Sequence, residues 1–363
     1  MIKVRIGDRL IGHGQPVFIV AEAGVNHNGQ VDLGKKLIDL AKVSGADAVK
    51  FQTFKTEKVI TEYAEKADYQ KLATRLDESQ FEMIKKLELT HEEFMELFNH
   101  AKKRNIIFLS SPFDKDSVDL LDNLGVPAFK VASGEITNFP LLRYIAGKKK
   151  PIILSTGMST IGEIRDAVDT LRKSGAKNVI LLHCVTSYPA RIEDANLRTI
   201  VTLTDKFKLP VGFSDHTLSI IVPVAAAALG AVLIEKHFTL DKNLPGPDHK
   251  ASLEPDQLKE MIAAIRDVEK ALGTGRRKLT KDEQKIKNLV RRSVVARVNI
   301  PRGKVITERM LDTKRPGTGI DPRRINLIVG KRAKRNIARD EQIAFKELVD
   351  NARKGVNKKS QNC

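Results

Sequence analysis

His216 and His237 stand 21 residues apart, within the β-rich runs VGFSDHT (211–217) and IEKHFT (234–239). That interval is one strand-plus-helix unit, so the two imidazoles should end neighbouring strands about 5 Å apart and could share one metal ion. Two protein ligands leave several coordination positions open. This favours a catalytic octahedral ion of the Mn²⁺ kind over a closed tetrahedral Zn²⁺. His13, His27, His91 and His100 have no such partner and read as structural or solvated. Lys50, Gln52, Lys130 and the hydroxyls of Ser111, Ser133, Ser155 and Ser214 surround the same centre. Two ammonium groups and several hydroxyl donors suit an anion that carries phosphate and carboxylate. The competing reading is an ion-pair network such as Lys130 with Glu135. Counting by twos puts Ser133 and Glu135 on one face and Lys130 on the other, so Lys130 needs a twist or bulge to point inward. The loop NLPGPDHKAS (243–252) offers Asp248. With Glu22, Gln52 and Tyr188 it could meet a polyhydroxyl substrate, an ordinary turn aspartate being the alternative.

These residues need a frame that brings them to one place. Short β-rich runs occur at 17–24, 48–54, 106–113, 128–135, 151–158, 179–189, 211–217 and 231–239, separated by helix-like stretches such as 31–44, 92–103, 161–174 and 220–229. Eight β/α units in this length imply a (β/α)8 TIM barrel rather than an open doubly wound sheet. Every run ends in polar or charged groups, and in a barrel those tips converge on the face where such folds keep their active sites. One polar tip is ordinary solvation; eight together read as a site. Ahead of them, residues 2–12 form a hairpin around Gly7-Asp8 that could plug the N-terminal end, and the insert 55–89 should lie on the loop face.

The domain prediction is a barrel over 1–272, a charged linker over 273–292, a small β-rich domain over 293–350 and a disordered tail over 351–363. Residues 296–311 and 333–348 repeat each other at an offset of 37, which implies a two-fold module. The formal net charge is +18. Lys and Arg outnumber Asp and Glu by 26 to 9 in residues 273–363 and by only 37 to 36 elsewhere. A basic module invites a nucleic-acid reading, but it shows no binding motif and few aromatics for stacking bases, so no nucleic-acid partner is expected. The sequence shows no signal-peptide pattern, and its longest apolar run is interrupted by Pro223 and Gly230. A cytoplasmic protein without a membrane partner is therefore expected. Two cysteines, Cys184 and Cys363, give neither a disulfide framework nor a zinc pattern.

Taken in order, AEAGVNHNG (21–29), VKFQTF (49–54), SSPF (110–113), KVASGE (130–135), PIILSTGM (151–158), LLHCVTSYP (181–189), GFSDHT (212–217), IEKHFT (234–239), PGPDHKASLEP (245–255) and KRPGTGI (314–320) resemble the N-acetylneuraminate (sialic acid) synthase family over nearly the whole chain. The last of these lies in a region similar to the antifreeze-like (SAF, β-clip) modules of such enzymes. The resemblance implies a transferase that condenses phosphoenolpyruvate with an N-acylated aminosugar such as N-acetylmannosamine, with Mn²⁺ foremost and Mg²⁺ or Co²⁺ as other candidates. It implies that His216 and His237 bind the metal. Lys50, Ser111, Lys130, Ser133, Ser155 and Ser214 would hold phosphoenolpyruvate, with Thr186 beside them where some members have Asn. Glu22, Gln52, Tyr188 and Asp248 would meet the sugar, and Glu135 would handle water or a proton. Arg315 would arrive from the partner of a domain-swapped homodimer. The nearest alternatives are legionaminic or pseudaminic acid synthesis, or a 6-phosphorylated aminosugar. The alternative of another class is a nucleic-acid-binding protein acting through its basic C-terminal domain.

Overall fold

The structure, a computed structural model, describes residues 2–66 and 78–351. It divides into two compact units, Met1–Thr274 and Gly275–Cys363. In the first, β1 (Val4–Ile6) and β2 (Arg9–Ile11) form an antiparallel hairpin. Then come β3 (Phe18–Gly24), β4 (Ala48–Thr53), β5 (Ile107–Pro112), β6 (Phe129–Val131), β7 (Ile152–Ser155), β8 (Val179–Cys184), β9 (Val211–Asp215) and β10 (Leu233–His237). These eight form one sheet in the order β5-β4-β3-β10-β9-β8-β7-β6, with parallel ladders. β5 and β6, at the ends of that order, lie against each other and close the ring. The unit is the expected (β/α)8 barrel, with each strand inside the run read from the sequence.

Alternation along the strands divides the core in two. One set of side chains, including Ile19, Val49, Phe129, Leu154, Phe213 and Ile234, packs outward against the helices. The other, including Phe18, Val20, Ala48, Leu109, Ala128, Ile153, Ile180 and Leu233, fills the barrel, and Val4, Ile6 and Ile11 of the hairpin pack on its floor. Gly212 lets β9 approach β10, since a Cβ there would stand 2.5 Å from Leu233 O. Several surrounding helices start from capping boxes, Thr90 with Glu93 before His91–Lys103 and Thr160 with Glu163 before Ile161–Lys173, which satisfy otherwise unpaired first-turn donors. The described part of the insert 55–89 packs through Leu87 and Ile84 on Val25, Phe54 and Phe113, which follow β3, β4 and β5, so it lies on the loop face. Residues 67–77 of that insert are outside the described residues.

The second unit begins differently from the sequence expectation. The stretch read as a linker holds a helix, Lys281–Val290, capped by Thr280 and Glu283, and Asn288 O accepts a hydrogen bond from Gly317 N. Beyond it, β11 (Ser293–Ala296) pairs with β12 (Leu311–Lys314), and β13 (Arg332–Ala333) with β14 (Leu348–Val349). The repeat is visible in the pairing: Ala296 faces Leu311 as Ala333 faces Leu348. Ile300 bridges its own repeat equivalent Ile337, and the bridges Val295–Gln342 and Val305–Arg332 exchange under the same offset. Such reciprocity is what two-fold symmetry between the repeats requires. Of the expected tail, all but Asn351 lies outside the described residues. Among the described residues no helix is long and apolar enough to cross a membrane.

Candidate functional site

The inner face of each barrel strand changes from apolar to polar towards its C-terminal end. Val20 gives way to Glu22, Ala48 to Lys50 and Gln52, Leu109 to Ser111, Ala128 to Lys130, Ile153 to Ser155, Leu182 to Cys184, Gly212 to Ser214 and His216, and Leu233 to Glu235 and His237. Glu22, Lys50, Gln52, Ser111, Lys130, Ser133, Ser155, Thr186, Tyr188, Ser214, His216, Glu235 and His237 all line one cavity of about 230 Å³. Lys130 reaches it without a twist or bulge. Its strand ends at Val131, and Ser133–Glu135 turn into a 3₁₀ helix. Counting by twos back from Ser133 therefore crossed the end of the strand.

Charge at the floor of the cavity is paired and almost wholly buried. Lys50 Nζ lies 2.7 Å from Glu22 Oε2 and 3.8 Å from Glu235 Oε2, and donates to Ser111 Oγ at 3.2 Å. Lys130 Nζ lies 3.3 Å from Glu235 Oε1, which also accepts a 3.0 Å bond from Ser214 Oγ. Burial raises carboxylate pKa values, but at Glu235 the two lysines outweigh it and keep the group ionised. At Glu22 burial wins, with the Glu235 charge adding to it against the pull of Lys50, and the carboxyl titrates well above its usual range. Lys50 is raised because Glu22 and Glu235 together overcome desolvation, whereas burial lowers Lys130. The cluster is thus two ammonium groups around one firmly ionised carboxylate, with Glu22 poised to carry a proton.

Above it sit the imidazoles, with ring centroids 5.5 Å apart and planes at 69°. His216 Nδ1 donates to Val185 O at 2.6 Å, which leaves the lone pair on Nε2. Nε2 stands 3.5 Å from Ser214 Oγ. His237 Nδ1 is buried without a hydrogen-bond partner, 3.8 Å from Asp248 Oδ2. Burial lowers His216 to about 4 and His237 well below the ordinary histidine value, so both are neutral at physiological pH. Tyr188 stacks on His216 with centroids 4.2 Å apart and meets His237 edge-on at 5.8 Å. Asp248 is pushed up to about 6 by burial, against the pull of Lys50. A Cβ on Gly24 would stand 3.2 Å from Glu22 Oε1 and 3.5 Å from both Asp248 Oδ2 and Gln52 Nε2, so these three groups converge on one point. Neutral imidazoles, one with its lone pair freed and one with an orphaned buried nitrogen, are a donor set that fits an open divalent-cation site. Among the described residues no cluster of three or more His, Cys, Asp or Glu side chains forms a closed one.

A second feature is a notch at Gly157. A Cβ there would stand 2.2 Å from Thr186 Oγ1, 2.8 Å from Cys184 Sγ and 2.9 Å from Ser133 Oγ. Gly157 N donates to Ser133 Oγ at 3.1 Å, Ser133 Oγ lies 3.2 Å from Cys184 Sγ, and Thr186 Oγ1 is buried with no hydrogen-bond partner.

Three expected residues are not in the cavity lining: Asp248, which stands behind His237, Glu135 and Arg315. Glu135 does not pair with Lys130; it accepts a 2.7 Å bond from Asn138 Nδ2, one residue beyond Gly134 in the cavity wall. Arg315 lies exposed in the second unit, after β12. The residue without an assigned role was Glu235, although its position two before His237 places both on one face of β10. Cys184 and Gly157 carry no such signal, since neither residue type announces a notch of this kind.

The comparisons agree along the chain. The NeuB family profile matches residues 37–277 and the SAF domain profile residues 291–349. N,N'-diacetyllegionaminic acid synthase of Campylobacter jejuni is 54% identical over 327 residues, 90% of this chain and 98% of that protein. N-acetylneuraminate-9-phosphate synthase of Homo sapiens is 37% identical over 350 residues, 96% of this chain and 97% of that protein. The crystal structure of N-acetylneuraminic acid (sialic acid) synthetase from Leptospira borgpetersenii, in complex with citrate, superposes with a TM-score of 0.71 at 37% identity, covering 78% of this chain and 95% of that one. With a barrel that gathers its polar residues at one mouth, a duplicated β module and these relatives, the chain belongs to the NeuB family and carries an SAF domain.

Proposed function

We propose that this chain joins phosphoenolpyruvate to the open-chain aldehyde of an N-acylated aminosugar, forming a carbon–carbon bond and releasing phosphate. The observation that carries the reading is the convergence of Lys50 and Lys130, with Glu235 between them, directly beside two neutral imidazoles in one cavity. Lys50 and Lys130, with Ser111, Ser133, Ser155, Thr186 and Ser214, hold the phosphate and carboxylate and fix the face of the enol presented for attack. Glu22, Gln52, Tyr188 and Asp248 meet the sugar. A divalent cation held by His216 and His237, Mn²⁺ foremost with Mg²⁺ or Co²⁺ as alternatives, would supply Lewis-acid polarisation of the aldehyde oxygen, worth several kcal/mol.

The rest falls to the side chains. The enol carbon attacks the aldehyde carbon, and the carbonyl oxygen takes a proton that the raised carboxyl of Glu22 can hold. Positive charge develops at C2 and is captured by water; one water proton replaces the one given by Glu22, the other goes to the phosphate as the C2–O bond to the phosphorus-bearing oxygen breaks and the C2 ketone forms, and hydrogen phosphate leaves against Lys50 and Lys130. Glu135 is the candidate to orient that water, which requires its bond to Asn138 to open. Arg315 from the partner of a domain-swapped homodimer completes the sugar side, in the cytoplasm, where phosphoenolpyruvate is formed.

The product is a nonulosonic acid of the N-acetylneuraminate or N,N'-diacetyllegionaminate type. The 54% identity to the Campylobacter jejuni legionaminic acid synthase, against 37% to the human neuraminate 9-phosphate enzyme, favours an acceptor with a second acetamido group over N-acetylmannosamine. The test is mass analysis of products after mixing the protein with phosphoenolpyruvate, Mn²⁺ and 2-acetamido and 2,4-diacetamido sugars, with and without a 6-phosphate. A product heavier than the acceptor by one pyruvate unit is expected; phosphate release without a new carbon–carbon bond would overturn the reading.

A further inference from the structure

Each imidazole of the candidate metal site is preceded by a charged residue, Asp215 before His216 and Lys236 before His237. These two are register partners on β9 and β10. Alternation sends them to the opposite side of the strands from Ser214, His216, Glu235 and His237, into the layer of Phe213 and Ile234 beneath the helices. Both are wholly buried, with Lys236 Nζ 2.5 Å from Asp215 Oδ2. The ammonium also donates to Thr217 O and, at 3.3 Å, to Ser219 O, so each of its three hydrogens has an acceptor. Asp215 in turn accepts from Thr217 N at 2.9 Å and Thr217 Oγ1 at 3.1 Å. The chain leaving His216 is thereby tied to the strand that carries His237. On its other side His216 is held by its ring bond to Val185 O and by Ala190 N donating to its carbonyl.

A buried, fully hydrogen-bonded ion pair contributes little net stability relative to a packed apolar pair, because desolvation offsets the attraction. What it does supply is a fixed geometry, and here that geometry lies directly behind the two imidazoles. We propose that Asp215 and Lys236 are positioning residues: outside the cavity and touching no substrate, they set the spacing at which His216 and His237 jointly receive a divalent cation. The proposal rests on the metal role in the functional reading, and the two can fail separately.

The test is Mn²⁺ binding to the metal-stripped full-length protein by calorimetry, alongside phosphoenolpyruvate binding without metal. If wild type binds no Mn²⁺, the functional reading fails at its metal. If wild type binds, the double variant D215N/K236M, which removes both charges together, should remain folded and bind Mn²⁺ at least about tenfold more weakly. Its phosphoenolpyruvate affinity should stay within about threefold of wild type, since of the residues that hold it only Ser214 shares a strand with the pair, while Lys50, Ser111 and Lys130 belong to β4, β5 and β6. Unchanged Mn²⁺ affinity overturns the proposal, as does a parallel loss of both affinities. Should the double variant not fold, D215N alone, which is isosteric, must weaken Mn²⁺ at least about threefold with phosphoenolpyruvate unchanged; wild-type Mn²⁺ affinity there overturns the proposal equally.

Discussion

Glu235 Oε1 lies 3.3 Å from Lys130 Nζ, and both side chains are almost wholly buried. Since Lys50 stands on the other side of the same carboxylate, Glu235 is the counter-charge that lets two ammonium groups occupy one small cavity. Removing it leaves like charges buried together. Glu235→Gln is expected to lower unfolding stability by about 3–5 kcal/mol and turnover by about 10²-fold or more, read by urea denaturation and steady-state kinetics. A variant with wild-type stability and turnover would show that the carboxylate does not hold the cluster together.

Stripping divalent ions with a chelator should abolish turnover and leave the far-ultraviolet circular dichroism unchanged, and added Mn²⁺ should restore it. His216→Ala and His237→Ala should each lose metal-dependent turnover at least about 10²-fold, with no restoration by Mn²⁺. Full activity in either variant removes that imidazole from the metal site.

Gly157→Ala places a methyl group where Thr186 Oγ1, Cys184 Sγ and Ser133 Oγ converge. Loss of one or two hydrogen bonds to an anion, at about 1.5 kcal/mol each or more, corresponds to about a tenfold rise or greater in KM for phosphoenolpyruvate. The sugar KM should move much less. An equal rise in both constants would place the notch outside the phosphoenolpyruvate subsite.

Glu88 in the insert accepts from Thr56 N at 3.1 Å, Thr56 Oγ1 at 2.9 Å and Lys55 Nζ at 2.9 Å. Burial would raise its pKa, but these bonds and Lys85 bring it down to about 2 from 4.5. A carboxyl depressed on folding stabilises above its unfolded value, and that contribution is lost as pH falls through the folded one. Protection of the Thr56 amide from hydrogen exchange should therefore hold at pH 6 and decline between about pH 4.5 and 2, and Glu88→Gln should show low protection throughout. Equal protection in the two proteins at pH 6 would contradict the anchor.

The sequence carried the frame further than the contacts. Eight strand runs with polar ends fixed the barrel, because parallel strands buried on both faces read as apolar runs that stop where the site starts. The offset of 37 between Ala296 and Ala333 foretold a two-fold module whose equivalents Ile300 and Ile337 meet. What was not legible depends on where a strand stops and on what lies across it. Lys130 reads as needing a twist or bulge to point inward only when parity is counted past Val131, where extended backbone ends. Glu235 is central only because Lys50, Lys130 and Ser214 come to it from three other strands. The helix Lys281–Val290 carried its own signal in Thr280 and Glu283, obscured by the surrounding charge.

The central claim is a condensation in which the bond from C2 to oxygen breaks while the oxygen–phosphorus bond survives. Phosphoenolpyruvate labelled with ¹⁸O at the bridging position, turned over with a 2,4-diacetamido sugar acceptor, tests it most directly. The account predicts that the label leaves with inorganic phosphate and that the new acid is unlabelled. Label retained in the organic product, with phosphate unlabelled, would mean attack at phosphorus and would contradict it.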